Sequence, residues 1–328
     1  MKYQPLSHPF ELPIQKLLAH CITDKPIYLP PHEGSTPGTT LAGAFGSALW
    51  STICPNNPAC YKQQKSGHPV CKKHKDCVLP WLYKPYSEIQ HRNFARPVLL
   101  RAAELESIEP VERFTLEVTL WGRHAIAAKQ EVIATLKQMG NLGLNSENRK
   151  VYFSIAQIET APALTLTEQI QKLPKKPQSV LLEFQTPFLH QEKTPKGKRN
   201  FHTQANIPIV NILGNVAYNL VAWDIEDRDL GEKLDKQKRH NLARDARDVA
   251  WQAGEKLTIV RTHISPVSIG ERVSRGNRQT MLLEGFVGLV ELSGELETAM
   301  PWLQTLALIG GGQKRAMGFG TVQMWLNL

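Results

Sequence analysis

No apolar run in this chain reaches the roughly 18 residues that a membrane-spanning helix needs. The amino terminus, Met1-Lys2-Tyr3-Gln4-Pro5, has no apolar signal-peptide core. A cytoplasmic protein with no membrane partner is the expectation. Two nucleotide-binding signatures are also missing: there is no G-x-x-x-x-G-K-[ST], and no G-x-G-x-x-G opening a helix. Acidic residues are in deficit, 30 Asp and Glu against 39 Lys and Arg, and the resulting formal charge of +9 favours a polyanionic partner. Cysteine is scarce, with five in 328 residues, yet four crowd into one segment. Apolar residues are not in short supply: at 41% they suffice for one large domain or two of ordinary size.

The crowded cysteines are Cys54, Cys60, Cys71 and Cys77, separated by five, ten and five residues. In a reducing compartment such a cluster reads as a metal site in preference to two disulfides. Four thiolates satisfy tetrahedral zinc, which ranks ahead of an iron–sulfur cluster, although these spacings are looser than those of a zinc knuckle. His68 and His74 lie inside the segment and read as solvated loop residues. Cys21, in an apolar run, reads as a small buried side chain.

The stretch from Leu308 to Trp325 carries the strongest functional signal. Gly310, Gly311, Gly312, Gly318 and Gly320 surround Lys314 and Arg315, between an apolar helical run and a terminal apolar strand. Glycine lets backbone N–H groups approach an anion, and the two cations add full charge, so the segment suits a phosphate backbone. A plain helix-to-strand turn is the competing reading.

The chain follows one plan twice, helix, glycine turn, strand. Ala125 to Met139 has helical periodicity, Gly140-Asn141-Leu142-Gly143 reads as a turn, and Val151 to Ile158 alternates as a strand. Met300 to Ile309, the glycine loop and Thr321 to Leu326 repeat it. Each half begins with a strand-like run, Ile14 to Ile22 and Ser179 to Thr186, then a helix, Thr39 to Ser51 and Asn206 to Asp224. Interior strands are expected at Phe114 to Trp121, Leu257 to Ser265 and Met281 to Leu292. The expected fold class is α+β, two tandem ferredoxin-like (RRM-like) domains, residues 1–165 and 178–328, with a cysteine-rich metal-binding insertion at about 52–80 and a glycine-rich loop at 310–320. Pro162, Pro174 and Pro177 with Lys172, Lys175 and Lys176 mark the linker. Leu230 to Ala253 adds a charged helix to the second copy, whose acids offset much of its basic charge.

Several segments together resemble the CRISPR-associated RAMP endoribonucleases that cut precursor CRISPR RNA within its repeats. Tyr28 to Ser35 followed by Thr40 to Leu49 looks like the family's strand end and first helix, and the four-cysteine insertion is similar to one carried by a subset. Glu271 to Gln279 and Leu283 to Gly288 resemble the segment before the final helix, and Gly318-Phe319-Gly320 the end of the signature glycine loop. The resemblance implies metal-independent cleavage, in which the 2′-hydroxyl beside the scissile phosphate attacks it and leaves a 2′,3′-cyclic phosphate and a 5′-hydroxyl. Such a step needs a base, cations for the phosphorane and an acid for the leaving oxygen.

The chain departs from the family pattern where relatives place a histidine: those positions hold Gly310 and Gly311, and Gly46 and Ser47. Among its eleven histidines, His32 is the first choice, in the loop entering the first helix. His202 follows a basic run and His20 lies on the first strand, where a sheet-face role competes; Tyr28 is a further candidate to orient a base or donate a proton. For RNA binding, Lys314 and Arg315 lead, with Gly312, Gly318 and Gly320 beside them. Arg272, Arg275 and Arg278 come next, then Lys196, Lys198 and Arg199. The implied partners are CRISPR repeat RNA and subunits of a CRISPR effector complex. A non-catalytic RAMP subunit that holds guide RNA, and a zinc-stabilised nucleic-acid-binding protein outside CRISPR, are the rival readings.

Overall fold

The computed structural model describes residues 11–29, 36–54, 77–83, 86–87, 92–93, 96–146, 149–170, 177–193, 199–201, 207–228, 234–273, 280–315 and 318–327. They group into two compact units: Pro13–Ala163 with Ala316–Gly318, and Met1–Leu12 with Leu164–Arg315 and Phe319–Leu328.

The first unit runs β1 (Pro13–Ile27), α1 (Pro37–Ile53), β2 (Val98–Arg101), β3 (Val111–Trp121), α2 (Lys129–Leu142) and β4 (Phe153–Thr160). Its sheet order is β2-β3-β1-β4 with antiparallel neighbours, the order of a β-α-β-β-α-β ferredoxin-like unit. Alternation along β1 sets the faces. Leu17, Ala19 and Cys21 are buried in one core with Leu41, Phe45 and Leu49 of α1 and Val132, Leu136 and Met139 of α2, whereas His20 and Ile22 point to the other face. Burial pushes the Cys21 thiol up to about 12, so it stays protonated. α1 starts where its sequence dictates. Thr36 accepts from the Thr39 N–H at 3.2 Å and its own N–H donates to Thr39 Oγ1 at 2.7 Å, a reciprocal cap with Pro37 in the first turn.

Gly140 differs from the turn expected of it. α2 runs on to Leu142 and ends at Gly143, φ 71°, whose N–H donates to the Met139 carbonyl at 3.0 Å. Gly140 sits inside the helix because a Cβ there would collide with the Phe153 carbonyl of β4.

The second unit repeats the plan with β5 (Ser179–Phe188), α3 (Ile209–Asp227), α4 (Lys236–Glu255), β6 (Leu257–Val273), β7 (Thr280–Gly294), α5 (Leu296–Ile309) and β8 (Val322–Asn327). The sheet order is β6-β7-β5-β8, again antiparallel. α4 is the addition to the plan. It begins at Lys236, where Asp235 accepts from the Lys238 N–H at 2.8 Å, a bond that holds the Asp235 carboxyl below its usual range. Ala243, Ala246, Ala250 and Ala253 form its buried stripe, small enough for close packing on α3. β6 is longer than its sequence pattern predicts and continues through Pro266. It is an edge strand, so the missing N–H of Pro266 can face away from the ladder.

Candidate nucleic-acid interface

Antiparallel pairing gathers three remote basic segments at one end of the second sheet. β5 finishes at Phe188, opposite Phe286 of β7. Beyond that point, among the described residues, β7 pairs only with β6, as far as Val273 opposite Thr280, so the two strands run on as a two-stranded ribbon. Arg272 lies in this ribbon opposite Met281; Arg275 and Arg278, in its connection, lie outside the described residues. After β5 the chain forms a small hairpin, Gln191–Lys193 paired with Arg199–Phe201. It carries Arg199 and lies against β7, while Lys196, Lys198 and His202 lie outside the described residues. Because β8 begins opposite Phe184, the glycine loop before it returns to the same end.

The loop is built differently from an open cradle of amides. The Gly311 N–H donates to the Gly320 carbonyl at 2.9 Å, Gln313 to Leu189 at 2.7 Å, and Gly320 to Pro187 at 3.1 Å. The Thr321 N–H donates to Thr186 Oγ1 at 2.9 Å. Four amides are therefore spent inside the protein, because the loop is wrapped around the end of β5. The backbones at Gly311 and Gly320 approach so closely that any Cβ on Gly320, φ 77°, would strike the Gly311 carbonyl. Gly312 is likewise left-handed at φ 72°. Beneath the loop, Phe184, Phe188 and Phe286 form a buried aromatic cluster with ring centroids 5.0 to 5.4 Å apart.

The two loop cations divide their work. Arg315 Nη1 donates to the carbonyls of Ile309 and Gly310 at 3.2 and 3.3 Å, satisfying the end of α5. Lys314 is left-handed at φ 60°, the one described residue other than glycine with positive φ. Next to it Gln313 Nε2 donates to Gln191 Oε1 at 2.9 Å, joining the loop to the basic hairpin. This amide link was not legible in the sequence, where the two glutamines are 122 residues apart. Neither was His190, which follows β5 in the chain and is buried at 4% exposure; its place before the basic run was the one available signal.

In the first unit, Gly318 packs backbone to backbone on Gly38, in the first turn of α1. His32, four residues before the Thr36 cap in the sequence, lies outside the described residues. Tyr28 is half-buried; its N–H donates to Ser146 Oγ at 3.2 Å, and that hydroxyl donates back to the Tyr28 carbonyl at 2.6 Å. His20 stands on the helix-free face of the sheet, Nε2 3.1 Å from Glu159 Oε1 and Nδ1 3.4 Å from Thr115 Oγ1. That is the sheet-face role. Cys54 closes α1 and, like Cys77, is half-buried against the first core; Cys60 and Cys71 lie outside the described residues. Among the described residues no three ligating side chains converge.

Residues 12–182 match a family described as an N-terminal domain, AF_1859_N, and residues 182–322 match CRISPR-associated endoribonuclease Cas6. No curated protein matches by sequence. Among solved structures, a Cas6 (TTHB231) product complex aligns with 95% of this chain and 100% of its own, at 16% identity and a TM-score of 0.53. The Thermus thermophilus Cas6 (TTHB231) structure aligns over 96% and 99% of the two chains, at 14% identity and a TM-score of 0.48.

Proposed function

We propose that this endoribonuclease, which belongs to the AF_1859_N family by its residues 12–182 and matches CRISPR-associated endoribonuclease Cas6 over residues 182–322, cuts precursor CRISPR RNA within the repeats. The observation that carries the substrate class is the meeting of the ribbon, the basic hairpin and the glycine loop at one end of the second sheet. Three separate cationic segments on one rim suit a folded polyanion better than a single phosphate.

The cut uses the substrate's own 2′-hydroxyl as nucleophile. It forms the bond to phosphorus as the bond to the 5′-oxygen breaks, leaving a 2′,3′-cyclic phosphate and a 5′-hydroxyl. His32 is the proton-transfer group, matched to neutral pH, and Tyr28 is its companion near the end of β1. Lys314 meets the charge that grows on the phosphorane. No step calls on a metal. The four cysteines have a separate role: Cys54, Cys60, Cys71 and Cys77 would hold a zinc ion, which would tie together the segment after α1. CRISPR effector subunits are the further partners, in a cytoplasmic setting.

The test is a labelled repeat RNA incubated with pure protein in excess EDTA. Cleavage leaving a cyclic phosphate is expected, and a 2′-deoxy substitution before the cut should abolish it. A need for added Mg²⁺, or normal cutting of the deoxy RNA, overturns the mechanism.

A further inference from the structure

The face of the second sheet opposite Val180, Leu182 and Phe184 carries an aromatic plate and a set of acceptors that the cleavage chemistry does not use. Trp325 of β8 is 50% exposed. In register it lies opposite Leu181, and Gln323 lies opposite Glu183. Trp325 Nε1 donates to Glu183 Oε2 at 3.4 Å. Gln185 Nε2 reaches the same carboxylate oxygen at 3.4 Å and Gln323 Oε1 at 2.6 Å.

The carboxylates of this face differ in what they have left to offer. Glu291 is engaged: Ser179 Oγ donates to it at 2.7 Å and Arg261 Nη2 stands 3.0 Å from it. Glu183 has, among the described residues, only the two long contacts from Trp325 and Gln185. A carboxylate accepts about four hydrogen bonds, so most of its capacity is unused. Gln185 Oε1 is buried and, among the described residues, has no hydrogen-bond partner.

We propose that this face binds an unpaired guanine base, with Trp325 as the stacking surface and Glu183 as the acceptor that selects the base. Every base can stack on an indole, so stacking alone is blind to sequence. Selection comes from the edge. Guanine presents two adjacent donors, the ring N1–H and the exocyclic N2 amine, which match the two oxygens of one carboxylate. Adenine and cytosine place an acceptor beside their amine, and uracil flanks its N–H with two carbonyls, so each sets a lone pair against Glu183. The site deepens the RNA-cleavage reading by naming a base, and it rests on the chain taking RNA.

The experiment measures binding of the full chain to three labelled hexanucleotides, uridines with one central guanosine, inosine or adenosine. Guanosine should bind about tenfold tighter than adenosine, the discrimination of a bidentate base contact. Inosine, which lacks the N2 amine, should fall between them. Glu183→Gln should bring guanosine down to the adenosine value, and Trp325→Ala should weaken all three together. Equal binding of the three RNAs by the unmodified protein overturns the site, and so does a guanosine preference that survives Glu183→Gln. The inosine comparison needs no variant and stands even if a substitution perturbs folding. Repeat cleavage in EDTA is scored separately: cleavage without a guanine preference overturns this site alone, and a preference without cleavage overturns the repeat-cutting reading alone.

Discussion

Lys314 and Arg315 are adjacent and alike in charge, yet their surroundings give them different tasks. A left-handed lysine costs roughly 1 kcal/mol relative to ordinary backbone. It is held there by Gln313, bonded to Leu189 and Gln191, on one side and by Arg315, bonded to the end of α5, on the other. Lys314→Ala should flatten the salt dependence of RNA binding by about one unit of slope. Arg315→Ala should cost about 0.5 to 1 kcal/mol of stability, the usual worth of a cation at a helix end. Salt-titrated RNA binding and thermal melts on the two variants separate these outcomes; equal slopes for both would show that neither residue is specialised. His32 belongs to the same scale. His32→Ala should slow single-turnover cleavage by about 10² or more with RNA affinity intact. Parent-like cleavage would leave His202, and then His20, as the proton-transfer group. Of these residues the sequence named the cations and the candidate histidines, but it did not separate Lys314 from Arg315, because a charge run is blind to which carbonyls lie nearby.

Elements were more legible than sites. β1 and α1 follow from local periodicity and from Thr36-Pro37, and the structure extends both by a few residues. Glycine is a weak helix former, so the sequence predicts that α2 stops before Gly140, and only the approach of β4 to Gly140 explains why glycine stands inside the helix. The glycine loop repeats the lesson. Its glycines serve close backbone packing around β5 at least as much as anion access, since four of its amides are already donated. Gly320→Ala should thus destabilise the protein by about 2 kcal/mol or more, combining a left-handed alanine with a collision against Gly311. Urea unfolding measures it. A neutral result would mean that the loop re-forms without its Gly311 to Gly320 pairing.

On the scale of the whole molecule, the excess of 39 basic over 30 acidic residues predisposes the chain to RNA but places no charge. The cysteine segment tests another global property, since a metal bound only by the folded protein adds to its stability. Cys71→Ser with Cys77→Ser should release zinc and lower the melting temperature, as read by metal analysis of anaerobically purified protein; a parent protein with neither zinc nor iron refutes the staple. The order of strands and helices, the repeated plan and the basic character were determined by the sequence alone, because periodicity, capping and charge are properties of neighbouring residues. Which basic segments meet was decided only by tertiary structure. The hairpin after β5, the β6–β7 ribbon and the glycine loop converge because β5 is paired on both sides with strands far ahead in the chain, β7 and β8. No local pattern encodes that pairing. The same holds for Trp325 and Glu183, 142 residues apart and in contact only across the β5–β8 ladder.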